Sequence, residues 1–231
     1  MQKEYLPRVL VGCPTSEHKN YALKEYAIGI KSLSYGNFDV LLVDNSKDNN
    51  YLNKIKSLKL PVVKGPYSDF AKQRIVDSRN ILRERILNEN YDYFLSLEQD
   101  VIPPKEVIQK LLSHGKNIVS GLYFTYPASN KGGALTPLLW KKTGKDAIKF
   151  LSEKDISANR LIEVAACGLG CVLIHRNVLE KIKFRHDKNF EGFDDVWFGY
   201  DTFNAGFKIF ADTSIKCKHL IRGWSWDGIK E

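Results

Sequence analysis

The sequence predicts an α/β protein built on a mixed sheet, mostly parallel in its N-terminal half, with helices on both faces. Three observations support this fold class. In the first hundred residues, short apolar runs alternate with segments of helical periodicity, as in parallel strands joined by crossover helices. The apolar runs are nearly continuous, which is expected for strands covered on both faces. Beyond residue 124 the alternation breaks, which predicts a less regular C-terminal half.

The N-terminal elements follow from these apolar runs and from the residues that end them. The first run stops at Pro14-Thr15-Ser16, and the second stops at Asp44-Asn45-Ser46. Apolar residues then recur at helical spacing after each run. The predicted strands of this half are residues 8–13, 38–43, 60–63 and 93–97, and the predicted helices are residues 21–33, 49–58 and 70–88.

The C-terminal elements are shorter and less evenly spaced. Proline and glycine interrupt residues 125–159, where only a short strand at 138–140 is predicted. The other predicted strands are residues 117–123, 161–166, 171–174, 208–211 and 215–218, and the predicted helical segments are residues 105–113, 177–182 and 195–205. Because there is no repeat and no linker-like composition, we expect a single domain over residues 1–231.

The composition is that of an ordinary globular protein with a basic surface. The formal net charge is +8, from 35 basic and 27 acidic residues. The lysines are scattered, so no nucleic-acid partner is expected, although the charge suits phosphate-bearing substrates or association with an anionic membrane surface. A solvated lysine-rich surface explains the charge equally well. No apolar run is long enough for a membrane span, and we expect a cytoplasmic protein with four reduced cysteines.

Polar side chains follow three of the predicted parallel strands. Thr15, Asp44 and the pair Glu98 and Asp100 stand where ligands bind in open α/β sheets, beyond the carboxyl ends of the strands. In an extended chain Glu98 and Asp100 project to the same side, and two carboxylates there suit Mg²⁺ or Mn²⁺. Taken alone, each signal has a plainer interpretation: Asp44 can cap a helix, and the acidic pair can be a solvated turn. No dinucleotide or P-loop glycine motif follows the first strand.

The order of these motifs resembles a known family. Pro14-Thr15, Asp44-Asn45-Ser46, Ser78-Arg79-Asn80, Glu98-Gln99-Asp100 and, further on, Gly168-Leu169-Gly170, Asp194-Asp195 and Cys217-Lys218-His219 follow one another along the chain. Together they are similar to nucleotide-sugar glycosyltransferases of the GT-A (Rossmann-like) fold, in particular glycosyltransferase family 2. The resemblance covers residues 8–219. It departs from the family pattern in Glu98 for Asp and in Asp194 for Glu.

The resemblance implies a function and a role for each candidate residue. The chain would move a sugar from a nucleotide-diphosphate donor to a hydroxyl acceptor, using Mn²⁺ or Mg²⁺. Residues of about 1–104 would bind the nucleotide, and residues of about 105–231 would bind a carbohydrate or lipid-linked acceptor and carry the catalytic groups. Asp195 would be the catalytic base of an inverting reaction, beside Asp194. The implied metal ligands are Asp100, His219 and Glu98; the donor residues are Thr15, Asp44, Arg79, Glu98, Gly121 and Gly168; and the acceptor residues are Tyr123, Trp224 and Trp226.

Several alternatives stay open at this stage. A retaining reaction fits the late histidine equally, and a sugar-phosphate nucleotidyltransferase shares the nucleotide-binding core and the acid-held metal. A non-catalytic nucleotide-sugar-binding protein would keep the fold without the reaction. A zinc site is a further possibility, formed by Cys167, Cys171, Cys217 and His219.

Overall fold

A computed structural model of the chain describes residues 5–126, 135–144, 147–189 and 192–221. The strands are β1 (Val9–Thr15), β2 (Phe38–Asp44), β3 (Val62–Lys64), β4 (Tyr93–Leu97), β5 (Val101–Ile102), β6 (Ile118–Leu122), β7 (Phe124–Thr125), β8 (Thr136–Pro137), β9 (Leu139–Lys142), β10 (Ile148–Phe150), β11 (Leu161–Val164), β12 (Ala166–Cys167), β13 (Cys171–His175), β14 (Ile209–Lys216) and β15 (Lys218–His219). The helices are a 3₁₀ helix (Glu17–Ala22), α1 (Leu23–Ser32), α2 (Asn50–Ser57), α3 (Ala71–Asn88), α4 (Val107–Ser113), α5 (Glu153–Ile156), α6 (Arg176–Lys181) and α7 (Asp194–Asn204).

Eight strands form the central sheet, in the order β11-β14-β6-β13-β4-β1-β2-β3. The four strands of the N-terminal half are mutually parallel, whereas β13 runs antiparallel to both of its neighbours, β4 and β6. Strands from both halves of the chain share this sheet. The predicted mixed sheet with a parallel N-terminal half is therefore confirmed.

Apolar side chains cover both faces of the sheet. On β1, Val9, Val11 and Cys13 pack with α1, α2 and α4 on one face, while Leu10 packs with α3 and α6 on the other. This alternation along one strand explains why the predicted strands read as continuous apolar runs: both faces are buried. Among the described residues, no helix is both long and apolar enough to cross a bilayer.

The C-terminal half differs from the prediction in two ways. The predicted strands at 208–211 and 215–218 are mostly one strand, β14, whose pairing with β6 shifts register between Asp212 and Lys216. This irregularity interrupts the apolar pattern without ending the strand. The segment 125–159 also contains more structure than the single predicted strand, because β9 pairs with both β10 and β12 in a small separate sheet.

Candidate active site

A cavity of about 370 Å³ opens beyond the carboxyl ends of the parallel strands. Basic and acidic side chains share its wall, which suits a ligand that is itself charged or that brings a cation. The wall is formed by Pro14, Thr15, Ser16, His18, Lys19, Asn45, Ala71, Arg74, Ile75, Arg79, Glu98, Tyr123, Leu138, Leu169, Phe193, Asp194, Asp195 and His219.

Glu98, Gln99 and Asp100 form a turn and not the extended strand end that the sequence suggested. β4 ends at Leu97, and the amide of Val101 donates to the carbonyl oxygen of Glu98 at 2.9 Å. The buried Gln99 holds this turn, because its amide nitrogen donates to the carbonyl oxygen of Lys19 at 2.6 Å. The expected extended conformation at Glu98 and Asp100 was therefore wrong, and the two acids have different partners: Glu98 pairs with Arg79 and Asp100 pairs with Lys19.

Asp100 is 2% exposed, and the side chains of a tyrosine, a lysine and a histidine surround its carboxylate. Its Oδ2 accepts a hydrogen bond from the hydroxyl of Tyr21 at 2.9 Å, forms an ion pair with the ammonium of Lys19, and lies 3.5 Å from Nε2 of His219. Its Oδ1 is buried and has no hydrogen-bond partner among the described residues. Burial opposes ionisation, but His219 and Lys19 outweigh it and hold the pKa of Asp100 below its usual range.

Short strands bring His219 to Asp100. β15 pairs with β5 in an antiparallel ladder that sets His219 opposite Val101, and the amide of Leu220 donates to the carbonyl oxygen of Asp100 at 2.6 Å. Nδ1 of His219 lies 2.6 Å from the carbonyl oxygen of Phe124. A carbonyl oxygen only accepts, so Nδ1 carries the proton and Nε2 faces the carboxylate of Asp100.

Arg79 forms a buried cluster with two of the predicted acids. It lies on α3 and is 1% exposed. Its Nε donates to Oδ2 of Asp194 at 2.7 Å, one Nη donates to the hydroxyl of Ser96 at 2.6 Å, and the other pairs with Glu98. Burial disfavours the charged guanidinium, but Asp194 and Glu98 outweigh this and raise the pKa of Arg79. The guanidinium therefore links the turn after β4 to the first turn of α7.

Asp195 follows on the cavity wall, at the start of α7. It is half-buried, and its Oδ1 accepts a hydrogen bond from the amide of Val196 at 2.8 Å. Burial, together with the neighbouring carboxylate of Asp194, raises the pKa of Asp195 to about 7. A carboxylate with a pKa near neutrality can accept a proton in that pH range, which suits a general base.

The remaining predicted residues divide into those on the cavity wall and those behind it. Thr15 and Tyr123 line the cavity. Asp44 is fully buried, and its carboxylate accepts from Lys64 at 2.9 Å and from the hydroxyl of Ser46 at 2.6 Å. Gly121 packs near the sulfur atoms of Cys171 and Cys217, and Gly168 packs against the hydroxyl of Tyr123. Trp224 and Trp226 lie outside the described residues.

The geometry does not support the zinc alternative. All four cysteines are buried free thiols. Within the described ranges, no three or more histidine, cysteine, aspartate or glutamate side chains group closely enough to hold a metal ion by themselves. As far as the described part of the chain goes, a metal at Asp100 and His219 would take its further ligands from a substrate or from water.

Sequence reasoning missed Lys19, Tyr21 and Gln99, which surround Asp100 or hold its turn. Lys19 and Tyr21 lie in the 3₁₀ helix directly after β1, a place where the parallel-sheet rule predicts ligand contacts. Their position alone could have marked them. Gln99 lies between two acids, and nothing in its residue type indicates a buried side chain that holds the turn.

No protein-family model and no curated protein matches the chain by sequence. Its structure, however, is similar to solved structures. A crystal structure of GalNAc-T7 with UDP, GalNAc and Mn²⁺ matches with a TM-score of 0.66 and 15% identity, over 96% of this chain and 46% of that chain. A crystal structure of S. aureus TarS matches with a TM-score of 0.57 and 14% identity, over 93% and 37% of the two chains. A structure of TarS residues 1–349 matches with a TM-score of 0.58 and 14% identity, over 91% and 59%.

The chain spans between about a third and three fifths of the length of these structures. At such low identity the likeness concerns the fold. It covers nearly the whole of this chain, including the strands that carry the cavity. The chain therefore has the GT-A fold that its sequence motifs predicted.

Proposed function

We propose that this chain is a metal-dependent glycosyltransferase, which moves a sugar from a nucleotide-diphosphate donor to a hydroxyl acceptor. The fold is shared with GalNAc-T7, a protein whose crystal structure contains UDP, GalNAc and Mn²⁺. The observation that carries the proposal is the meeting of Asp100 and His219 at a cavity that Asp194 and Asp195 also line. A metal-binding pair and a base around one cavity are what transfer from a nucleotide sugar requires.

The residues around Asp100 fit a divalent cation. Oδ2 of Asp100 and Nε2 of His219 lie 3.5 Å apart. In the neutral imidazole with its proton on Nδ1, Nε2 has a lone pair that can ligate a cation. Two ligands of one octahedral ion lie roughly 3 Å apart, so this spacing suits joint binding. Oδ1 of Asp100 is buried and without a hydrogen-bond partner among the described residues, which leaves it further capacity to accept. The mixed nitrogen and oxygen pair suits Mn²⁺ better than Mg²⁺.

Such a cation, when bound, offsets the negative charge that develops on the leaving diphosphate. Asp100 and His219 would hold it with few protein ligands, leaving positions for diphosphate oxygens, as is common in nucleotide sites. Glu98 pairs with Arg79. We therefore assign Glu98 to the donor side of the cavity, near the ribose or a metal-bound water, and not to the metal ligands Asp100 and His219.

Asp195 would accept the proton of the acceptor hydroxyl. Asp194 is engaged by Arg79, whereas Asp195 lies on the wall with its pKa raised to about 7. As the acceptor oxygen attacks the anomeric carbon, its proton passes to the carboxylate of Asp195 and the bond to the diphosphate breaks. Attack from the face opposite the leaving group inverts the anomeric configuration. Asp194 acts as a positioning residue, because its bond to Arg79 fixes the first turn of α7.

The donor and acceptor remain classes rather than named molecules. Thr15 and the basic side chains of Lys19 and Arg74 on the wall suit a nucleotide diphosphate. Tyr123 is the predicted acceptor residue that lines the cavity. The acceptor would be a carbohydrate or a lipid-linked molecule, and the net charge of +8 suits work at an anionic membrane surface.

The test is release of nucleoside diphosphate from a panel of nucleotide sugars with Mn²⁺, beginning with uridine diphosphate sugars. Asp100→Asn and Asp195→Asn should each lower release, the second by roughly 10²–10⁴-fold because it removes the base. Asp39→Asn is the control, since Asp39 pairs with Arg8 at the opposite edge of the sheet. The anomeric configuration of the product, read by NMR, decides between inversion and retention.

Two other outcomes would replace the proposal. Release of pyrophosphate from a nucleoside triphosphate and a sugar phosphate would identify a nucleotidyltransferase. Saturable binding of a nucleotide sugar without any release would identify a non-catalytic binding protein.

A further inference from the structure

Lys19 forms an ion pair with Asp100, the carboxylate that we assign to the metal site. The ammonium of Lys19 forms an ion pair with Oδ2 of Asp100, the same oxygen that faces Nε2 of His219. The side chain of Asp100 is 2% exposed, whereas that of Lys19 is 36% exposed. The pair therefore joins a buried anion to a cation that reaches it from the cavity wall.

The backbone of Lys19 is held independently of its charged end. Its carbonyl oxygen accepts a hydrogen bond from the side-chain amide of Gln99 at 2.6 Å, and its amide donates to the carbonyl oxygen of Ser16 at 2.9 Å. The ammonium is carried on a flexible four-carbon stem. It can therefore leave Asp100 and turn into the cavity while the 3₁₀ helix stays in place.

Two cations compete when they need the same oxygen. A divalent ion shared by Asp100 and His219 would stand within a few ångströms of the Lys19 ammonium, and like charges at that distance repel strongly in a partly buried site. We propose that Lys19 is an internal cation that occupies Asp100 and is displaced from it by the divalent ion. The inference rests on the proposed function only for the identity of the ion site.

The competition has two consequences. Lys19 keeps the buried carboxylate of Asp100 neutralised whenever no divalent ion is bound, so the donor side of the cavity stays folded. It also weakens binding of the ion, because the ion must break the Lys19–Asp100 pair. Lys19 and Arg74 both line the cavity, so a displaced ammonium would add to the positive charge available to a diphosphate there.

The test measures binding of Mn²⁺ alone to the whole chain, by the electron paramagnetic resonance signal of free Mn²⁺, with no nucleotide present. Lys19→Met should bind Mn²⁺ about tenfold more tightly than the wild type, the change expected when a competing charged hydrogen bond is removed. Asp100→Asn and the double variant Lys19→Met/Asp100→Asn should lose this binding. Lys24→Met, an exposed lysine on α1, is the matched control and should bind like the wild type.

A second readout separates competition from a folding defect. In chelator, Lys19→Met should unfold at a lower temperature than Lys24→Met, and Mn²⁺ should restore more stability to it than to the control. If Lys19→Met does not fold, Lys19→Gln keeps a neutral hydrogen-bonding side chain and carries the same expectation for affinity.

Three results would overturn the inference. They are equal or weaker Mn²⁺ binding by Lys19→Met, binding that survives in Asp100→Asn, and the absence of any Mn²⁺ binding by the wild type. None of these results decides the proposed function, which depends on release of nucleoside diphosphate in a separate assay. Conversely, a chain that releases no nucleotide but shows tighter Mn²⁺ binding on loss of Lys19 would support the inference and contradict the proposed function.

Discussion

Replacement of Arg79 tests the buried charge cluster that joins the turn after β4 to α7. Arg79→Met keeps most of the side-chain length but removes the cation that neutralises Asp194, whose Oδ2 lies 2.7 Å from Nε of Arg79. Breaking a buried ion pair in this way costs roughly 3–5 kcal/mol. For a chain of this length each kcal/mol lowers Tm by roughly 2–4 °C, so we expect Tm to fall by roughly 10 °C.

Thermal unfolding followed by circular dichroism measures this fall, and Arg85→Met is its control. Arg85 lies on the same helix, and its pair with Glu89 is exposed, with side-chain exposures of 47% and 37%. Loss of such a surface pair costs at most about 1 kcal/mol. Equal melting temperatures for Arg79→Met and Arg85→Met would refute the buried cluster.

A double-mutant cycle then isolates the contact itself. Asp194→Asn leaves Arg79 paired with Glu98, so its own cost is smaller than that of Arg79→Met. Because the two side chains touch, the double variant should lose less free energy of unfolding than the two single variants lose together, by roughly 0.5–3 kcal/mol. Strict additivity would mean that Arg79 and Asp194 do not interact, whatever each contributes alone.

Three further predictions concern Asp195, the packing of α7 and the thiols. If Asp195 is the base of the proposed reaction, kcat/KM for a nucleotide sugar should fall as the pH drops below about 7, where Asp195 becomes protonated. Because folding raises that pKa, protonated Asp195 stabilises the folded state at low pH, and this contribution is lost as the pH rises through about 7. Asp195→Asn should remove this pH dependence from the free energy of unfolding, measured with urea. Gly199→Ala should cost roughly 1–3 kcal/mol, since its Cβ would lie 2.6 Å from Cβ of Ala166, whereas Gly36→Ala, with its nearest neighbour at 3.7 Å, should be nearly neutral by the same measurement. The four buried cysteines should not react with a thiol reagent such as Ellman's until the chain is unfolded, because burial keeps the reagent out and raises the pKa of Cys167 to about 12. Rapid reaction of the native chain would contradict their burial.

The parallel half of the sheet could be predicted because its signals are local. Each strand from β1 to β4 is an apolar run that ends in a polar or turn residue, and each helix between them shows its own period. The extent of β14 was harder to predict, because the shift in the register of its pairing with β6 depends on two strands that lie far apart in sequence. The pairing of β5 with β15 was out of reach for the same reason, since each of these strands has only two residues.

The candidate site shows the same division between residue identity and contact. The acids and His219 could be singled out from their types and their positions after strands. Their partners could not, because the bond from Arg79 to Asp194 spans 115 positions and that from Lys19 to Asp100 spans 81. A lysine or arginine on a helix is usually a solvated surface residue, and only the folded chain reveals that Arg79 is buried.

The buried charges at this edge of the sheet are better explained by a ligand than by stability. Asp44, Arg79, Asp100 and Asp194 are all at least 96% buried, and each is paired with an opposite charge. Taking charges out of water is costly even when they are paired, and apolar replacements of similar volume are often neutral or stabilising. The apolar clusters on both faces of the sheet already supply a core. A chain selected for stability alone would have extended that core to the carboxyl edge. The buried charges at the cavity, namely Arg79 and Asp194 in its lining and Asp100 paired with the lining residue Lys19, therefore point to a polar ligand that enters it.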